Sequence, residues 1–417
     1  MTDLRVTDRF VFAWRSVWVR LCRRLTLVRL RRLNGRRKVR VAFLVSELAK
    51  WKAQTVFDRM RESEVFEPFV AVHNLTRLAA LPEDEQRRLV AEKLAYFRAR
   101  GMAAVDIQRY GSRQTLSVER FGADIVFYQQ PWDLASQLRP WTVARRALTF
   151  YIPYALPNHD MIKFEIGHKL HRFVQGHVVL NDAFAAYYRE KEREFGGAYA
   201  ARYLPLGHPV LDGIRVSSDQ PGEGKCVIYA PHWTLEYGDF HPELKYGTFA
   251  WNGREILRYA EAHPHVKWVF KPHPELRDAL VRSGFMSAAE VDSYYAAWER
   301  LGTACYTSDY LDLFDESTAM ITDSGSFLTE YGCTGKPLIR PVNETLNVSP
   351  HPLMGRLYST YFEVRNMAQL QAVLDRVIVA GDDPMRRRRL EELGSLGLRT
   401  HDAGTAIMRY LETLVRK

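Results

Sequence analysis

The sequence predicts an α/β protein of two Rossmann-like domains facing a cleft, preceded by a basic amphipathic helix. Three observations carry this expectation. Short apolar runs alternate with helical stretches along most of the 417 residues, the pattern of parallel sheets joined by crossover helices. The polar segment Val216–Lys225 (VSSDQPGEGK) interrupts that alternation with the composition of a linker. The first 40 residues hold 13 Lys and Arg against two acids, Asp3 and Asp8. A chain of this length has room for two substantial cores.

Residues 1–38 are the basic segment. Phe10, Trp14, Val17, Trp18, Leu21, Leu25 and Val28 fall on one helical stripe about 100° wide. Arg15, Arg20, Arg23, Arg24, Arg29 and Arg31 lie on its flanks and opposite face. Such a helix suits the interface of an anionic membrane. Residues 8–33 are therefore expected to hold the protein peripherally at the cytoplasmic face of the cell membrane. The segment is no transmembrane span, because arginines interrupt every apolar run well short of about 20 residues. It also lacks the apolar core and small residues of a signal peptide. Packing on the protein's own body is the competing reading. The net charge of +10 resides in residues 1–40, since the 46 basic and 47 acidic residues beyond them balance to −1. The charge thus marks a local feature and no nucleic-acid partner.

Residues 39–215 read as the first domain. Strands are expected at Val39–Val45, Phe69–Val72, Val105–Gln108, Asp124–Tyr128, Leu148–Ile152 and His177–Leu180, with helices near Lys50–Glu62 and Pro82–Arg100. Residues 222–392 read as the second, with strands at Cys226–Tyr229, Val266–Phe270, Ala304–Tyr306, Ala319–Ile321, Pro337–Arg340 and Tyr361–Val364. The Arg386–Arg389 run and the helix at 393–417 are expected to form a solvated C-terminal cap. Cys22, Cys226, Cys305 and Cys333 are scattered, the usage of a reduced cytoplasm with neither a disulfide frame nor a zinc site.

Two strand-end motifs carry the chemistry. Phe270-Lys271-Pro272-His273-Pro274 follows one apolar run, and Thr322-Asp323-Ser324-Gly325-Ser326, with Glu330 behind it, follows another. Ligands of open α/β sheets sit at such carboxyl ends, and a Ser-Gly-Ser turn at a helix start offers backbone donors to anionic oxygens. Lys271 and His273 would place charge and a proton donor beside a diphosphate. Ser324 and Ser326 add hydroxyls, and Glu330 is an acceptor for a ribose diol. His232, after the strand ending at Ala230, is expected to line the same site. The plainer alternatives are a turn histidine between two prolines for His273 and a helix N-cap for Asp323. His168, His171 and His177 have no accompanying carboxylates, so a structural role is expected, and no metal site is assigned.

The Lys271–Pro274 element, the segment Thr322–Tyr331 running on through Gly335-Lys336-Pro337, and Gly207-His208-Pro209-Val210-Leu211-Asp212 resemble the CDP-glycerol glycerophosphotransferase family of teichoic acid and capsule enzymes. The likeness covers roughly residues 200–345, and Val41–Asn74 more loosely. It implies a GT-B-like fold, a CDP-alditol co-substrate held by the second domain, and a membrane-linked or growing polymer as acceptor. It also implies His273 acting at the donor phosphate, with Asp323, Ser324 and Ser326 as the phosphate loop. The strand that should carry the family's acceptor-activating His reads Phe150-Tyr151-Ile152-Pro153-Tyr154. His159 or Glu47, both expected in the first domain, could substitute, although His159 also reads as a surface loop residue. The same phosphate loop is similar to that of UDP-N-acetylglucosamine 2-epimerases and of GT-B glycosyltransferases using nucleotide sugars, and fold alone does not choose among them. The expected activity is transfer of glycerol-phosphate or ribitol-phosphate from a CDP-activated donor with release of CMP. Divalent metal dependence stays open.

Overall fold

The computed structural model describes residues 6–33, 35–160, 162–197, 199–217, 225–235, 246–302, 304–306, 310–344, 349–399 and 402–416. Most of the expected linker, residues 218–224, lies outside them. The chain divides into two compact units. One comprises Met1–Ala155, Met161–Asp212 and His401–Lys417, and the other Leu156–Asp160 and Gly213–Thr400.

The first unit is built on a parallel sheet of β1 (Val39–Val45), β2 (Phe66–Val72), β3 (Ala104–Asp106), β6 (Ile125–Tyr128), β7 (Leu148–Tyr151), β8 (Gly176–Val179) and β9 (Tyr203–Pro205). Their spatial order is β3-β2-β1-β6-β7-β8-β9. A small antiparallel hairpin, β4 (Gln108–Arg109) with β5 (Gln114–Thr115), stands apart from it. Side chains alternate across β1. Val41, Phe43 and Val45 enter a core with Val56, Phe57 and Met60 of helix α2 (Gln54–Glu62). Ala42 and Leu44 enter a second core with Phe69, Val126 and Tyr128. Burial on both faces is why these strands read as continuous apolar runs. The edge strand β9 was not expected from the sequence, being three residues ending in proline.

Helix α1 (Val6–Leu33) carries two apolar faces. Phe12, Val19 and Cys22 pack with Ala144 and Phe173, and Leu27 and Leu30 join the larger core. The predicted stripe points the other way: Phe10, Trp14, Val17, Leu21, Leu25 and Val28 are exposed, Trp14 at 67% and Leu25 at 62%. The competing reading, packing on the protein's own body, thus holds for one face of the helix, while most of the predicted stripe is left exposed on the other. Among the described residues no helix is long and apolar enough to cross a membrane.

The C-terminal helix Ala403–Arg416 belongs to this unit, with Ile407, Leu411 and Val415 in the core behind β1. Asp212 fixes its start, accepting from Ala403 N (2.7 Å) and Gly404 N (2.8 Å) and from Thr55 Oγ1 (2.7 Å). His208 Nε2 bonds the Pro153 carbonyl at 2.7 Å. The Gly207–Asp212 motif is therefore a structural clasp here. His171 and His177 stack at 5.3 Å within a cluster of Tyr151, Tyr188 and Tyr203, in keeping with a structural role.

The second unit holds a parallel sheet of β10 (Cys226–Ala230), β11 (Lys267–Phe270), β12 (Ala319–Thr322), β13 (Leu338–Pro341) and β14 (Phe362–Val364), ordered β11-β10-β12-β13-β14. Ala304, expected in a strand, makes only an isolated bridge to Phe270. Two further expectations change. The last segment, 393–417, is divided between the units. The Arg386–Arg389 run is solvated only in part, because Arg387 and Arg388 are exposed while Arg389 is fully buried. Its guanidinium donates to the Gly335 and Thr360 carbonyls and pairs with Asp383. A buried guanidinium is tolerable only when its fan of donors is met in this way.

Candidate functional site

In the second unit the chain runs from β10 outward to β11, then returns to the far side of β10 as β12. Strand order reverses between β10 and β12, and the carboxyl ends flanking such a switch are where open α/β sheets bind ligands. Both predicted motifs are there. The β10 end leads into Pro231-His232-Trp233, the β11 end into Lys271-Pro272-His273, and the β12 end into Asp323-Ser324-Gly325-Ser326.

Asp323 ties these ends together. Its carboxylate accepts from His232 N at 2.6 Å and from Thr248 N and Oγ1 at 2.6 and 2.7 Å. Burial pushes its carboxyl up from the usual range, although those hydrogen bonds favour the ionised form. His273 N also bonds the Pro231 carbonyl at 3.0 Å. The three loops form one hydrogen-bonded assembly.

The imidazoles meet over it. The His232 and His273 rings are 5.2 Å apart, and Tyr246 lies 5.3 Å from His232. His273 is held neutral, its pKa lowered to about 4 by burial and then by the Lys271 charge. His232 is pushed well down by burial and by the neighbouring His273 and His159. In each ring Nδ1 accepts a backbone N–H, from Glu275 to His273 and from Thr234 to His232. The neutral tautomer therefore carries its proton on Nε2 in both. Each is a neutral donor suited to an anionic oxygen.

Lys271 is buried, with its ammonium 6.0 Å from the Tyr310 ring centre. The Tyr310 hydroxyl donates to the Glu330 carboxylate, which is itself buried. Lys271, Tyr310 and Glu330 thus form one line beside the β11 and β12 ends. The Ser324 and Ser326 hydroxyls make no hydrogen bond among the described residues. Gly325 serves a close approach, since a Cβ there would stand 2.8 Å from Asn158 Nδ2 and 3.6 Å from His159 Cε1.

His159 corrects an expectation. It belongs to the second unit, not the first, and it is fully buried instead of lying on a surface loop. The segment Leu156–Asp160 packs in that unit, Thr329 donating to the Pro157 carbonyl and His159 bridging to Pro350. The His159 ring lies 4.8 Å from Tyr246, and neither ring nitrogen has a hydrogen-bond partner among the described residues. Burial, with Arg340 adding to it, lowers its pKa to about 4.

Of the predicted residues, His159, His232, Lys271, His273, Asp323, Ser324, Gly325, Ser326 and Glu330 all lie in this unit. Glu47 lies in the first, at the end of β1, where it pairs with Lys50. That ammonium also sits 4.8 Å from the Trp132 ring centre and 5.3 Å from Tyr154. Sequence reasoning missed Tyr246, Thr248 and Tyr310. Nothing about their spacing marks them, because they reach the site from helix and loop starts distant in sequence. Gly335-Lys336-Pro337 proves structural: Lys336 Nζ donates to the Phe314, Asp315 and Ser317 carbonyls at 2.6 to 2.7 Å. Among the described residues no group of His, Cys, Asp or Glu is placed to hold a metal ion.

No protein-family model matches the sequence, and no curated protein matches it. Solved structures do resemble the fold. A UDP-GlcNAc 2-epimerase from Neisseria meningitidis, bound to UDP-GlcNAc, aligns at TM-score 0.55 and 14% identity, over 90% of this chain and 100% of that one. The S. aureus MnaA–UDP co-structure aligns at 0.51 and 12% identity, over 91% and 98%. The wall teichoic acid polymerase TagF, in a variant soaked with CDPG, aligns at 0.51 and 13% identity, over 99% of each chain. The fold is GT-B-like.

Proposed function

We propose that this protein is a transferase of cell-surface polymer synthesis. It moves a glycerol-phosphate or ribitol-phosphate unit from a CDP-activated donor to a hydroxyl of a membrane-linked or growing polymer. The observation that carries this reading is the convergence of His232, Lys271, His273 and the Asp323–Ser326 loop at the switch between β10 and β12. A diphosphate needs a cation, neutral donors and free hydroxyls. Lys271, the Nε2–H groups of His273 and His232, and Ser324 with Ser326 supply them.

The acceptor oxygen attacks the alditol-bearing phosphorus in line. The new O–P bond forms as the bond to the bridging oxygen of CMP breaks. Charge grows on that leaving oxygen, where Lys271 and His273 stabilise it. The acceptor proton passes to a base, for which buried and neutral His159 is one choice and Glu47 the other. Asp323 shapes the loops, and Glu330 takes the ribose contact on displacement of the Tyr310 hydroxyl.

The outward stripe of α1 supports peripheral attachment to an anionic membrane at its cytoplasmic face. Trp14, Leu21 and Leu25 face out, arginines flank them, and the opposite face is already anchored in the protein. A nucleotide-sugar glycosyltransferase is the competing activity on the same fold. A thermal-shift screen against CDP-glycerol, CDP-ribitol and UDP-sugars, followed by identification of the released nucleotide, tests the proposal. CMP supports it, whereas release of a nucleoside diphosphate replaces it with sugar transfer.

A further inference from the structure

A cavity of about 350 Å³ opens in the first unit, beside α1 and against the loop Pro131–Leu134 that follows β6. Arg15 of α1, Arg139 and Lys169 bring three cations to its wall, with His168, Asp133 and the Trp141 indole. Among the described residues no carboxylate pairs with Arg15, Arg139 or Lys169. Asp133 does not neutralise them, because its carboxylate is taken by the Thr76 hydroxyl, Arg77 N (3.2 Å) and the Arg77 guanidinium at 3.9 Å. Three cations around one hollow repel one another, so a cavity of this kind favours an anion.

The floor is preorganised. Arg15 and Arg139 both lie over the Trp141 ring, at 4.8 and 5.7 Å from its centre. Trp141 in turn meets Phe173 edge-on at 5.2 Å. Guanidiniums held over an indole keep their planar donors directed, the arrangement that recognises phosphate oxygens in pairs. The rim is also placed for a lipid. Trp18 packs against the same Phe12–Phe173 cluster as Trp141 and stacks on exposed Trp14 at 6.0 Å. The charged hollow therefore borders the outward apolar stripe on the same helix.

We infer that this cavity binds the phosphate headgroup of a membrane lipid, with Arg15, Arg139 and Lys169 holding the phosphate and the α1 stripe taking the acyl region. The inference rests on the membrane attachment proposed above. Arg139 and Lys169 lie off α1 and are exposed, so replacing them leaves the stripe intact and the fold undisturbed.

The test is sedimentation of the full chain with two phosphatidylcholine vesicles of matched surface potential. One carries about one fifth phosphatidic acid and the other carries oleate instead. The wild type is expected to bind the phosphatidic acid vesicles about tenfold more tightly, since paired guanidinium–phosphate bonds add to simple charge attraction. The R139Q/K169Q variant should lose that preference while still binding the oleate vesicles. Equal preference in variant and wild type, or no preference in the wild type, overturns the headgroup site and leaves membrane attachment standing. Sedimentation with neither vesicle overturns both. A titration with soluble glycerol 3-phosphate separates the sources. Binding there that the variant loses, without vesicle preference, makes this a site for free phosphate esters and refutes the lipid assignment.

Discussion

Replacing Asp323 with alanine isolates the group that holds the candidate site together. The side chain is 5% exposed and accepts from His232 N, Thr248 N and Thr248 Oγ1 within 2.7 Å. Removing the carboxylate strands the two backbone N–H groups, while the Thr248 hydroxyl can rotate toward another acceptor. A buried donor left unsatisfied costs about 1–3 kcal/mol, with charged acceptors at the upper end. The loss should therefore total about 3–5 kcal/mol. Asp323→Asn, which keeps one acceptor oxygen but turns an amide NH2 toward a donor, should lose roughly half as much. Urea denaturation read by tryptophan fluorescence measures both. If Asp323→Ala shifts stability by less than about 1 kcal/mol and only weakens nucleotide binding, then Asp323 is a ligand contact and the strut assigned to it is wrong.

His273→Ala is expected to abolish turnover while leaving nucleotide affinity within a few-fold, read by CMP release and calorimetry; full activity would remove His273 from the mechanism. Acid should destabilise the protein through its neutral buried histidines. The folded pKa of His159 is about 4, below the ordinary value near 6.5, so the unfolded chain binds the extra proton and stability falls as pH drops through that window. Between about pH 7.5 and pH 5 this one residue accounts for about 2 kcal/mol, and His159→Phe should lose that much less than wild type. Equal losses would mean His159 is not a neutral buried group. Trp14→Ser with Leu21→Ser, on the exposed face of α1, should weaken binding to anionic vesicles about tenfold or more without changing the denaturation midpoint. Unchanged sedimentation would refute attachment through that stripe.

Strands buried on both faces were the most legible part of the molecule. Val41–Val45 and Cys226–Ala230 are continuous apolar runs because both faces of each strand are buried. The strand-end motifs were legible for a related reason, since polar residues directly after such a run mark the edge where ligands sit. What stayed hidden depends on the path of the chain through space. His159 follows the last residues of the first unit in sequence yet packs in the second, and no local pattern signals that crossing. Arg389 sits in a run of four arginines that reads as solvated surface, but its donors are met by carbonyls far along the chain. The stripe of α1 was read correctly as apolar, while its second apolar face, Phe12, Val19, Leu27 and Leu30, was masked by the surrounding arginines. Tyr310 and Thr248 carry no motif at all; only folding brings their hydroxyls to Glu330 and Asp323.

The most direct measurement is a crystal structure of the protein soaked with CDP-glycerol. The account predicts the diphosphate within hydrogen-bond reach of His273 and of the Ser324 and Ser326 hydroxyls, with Lys271 alongside. A nucleotide bound elsewhere, or loops at the ends of β11 and β12 that contact no phosphate, would contradict it.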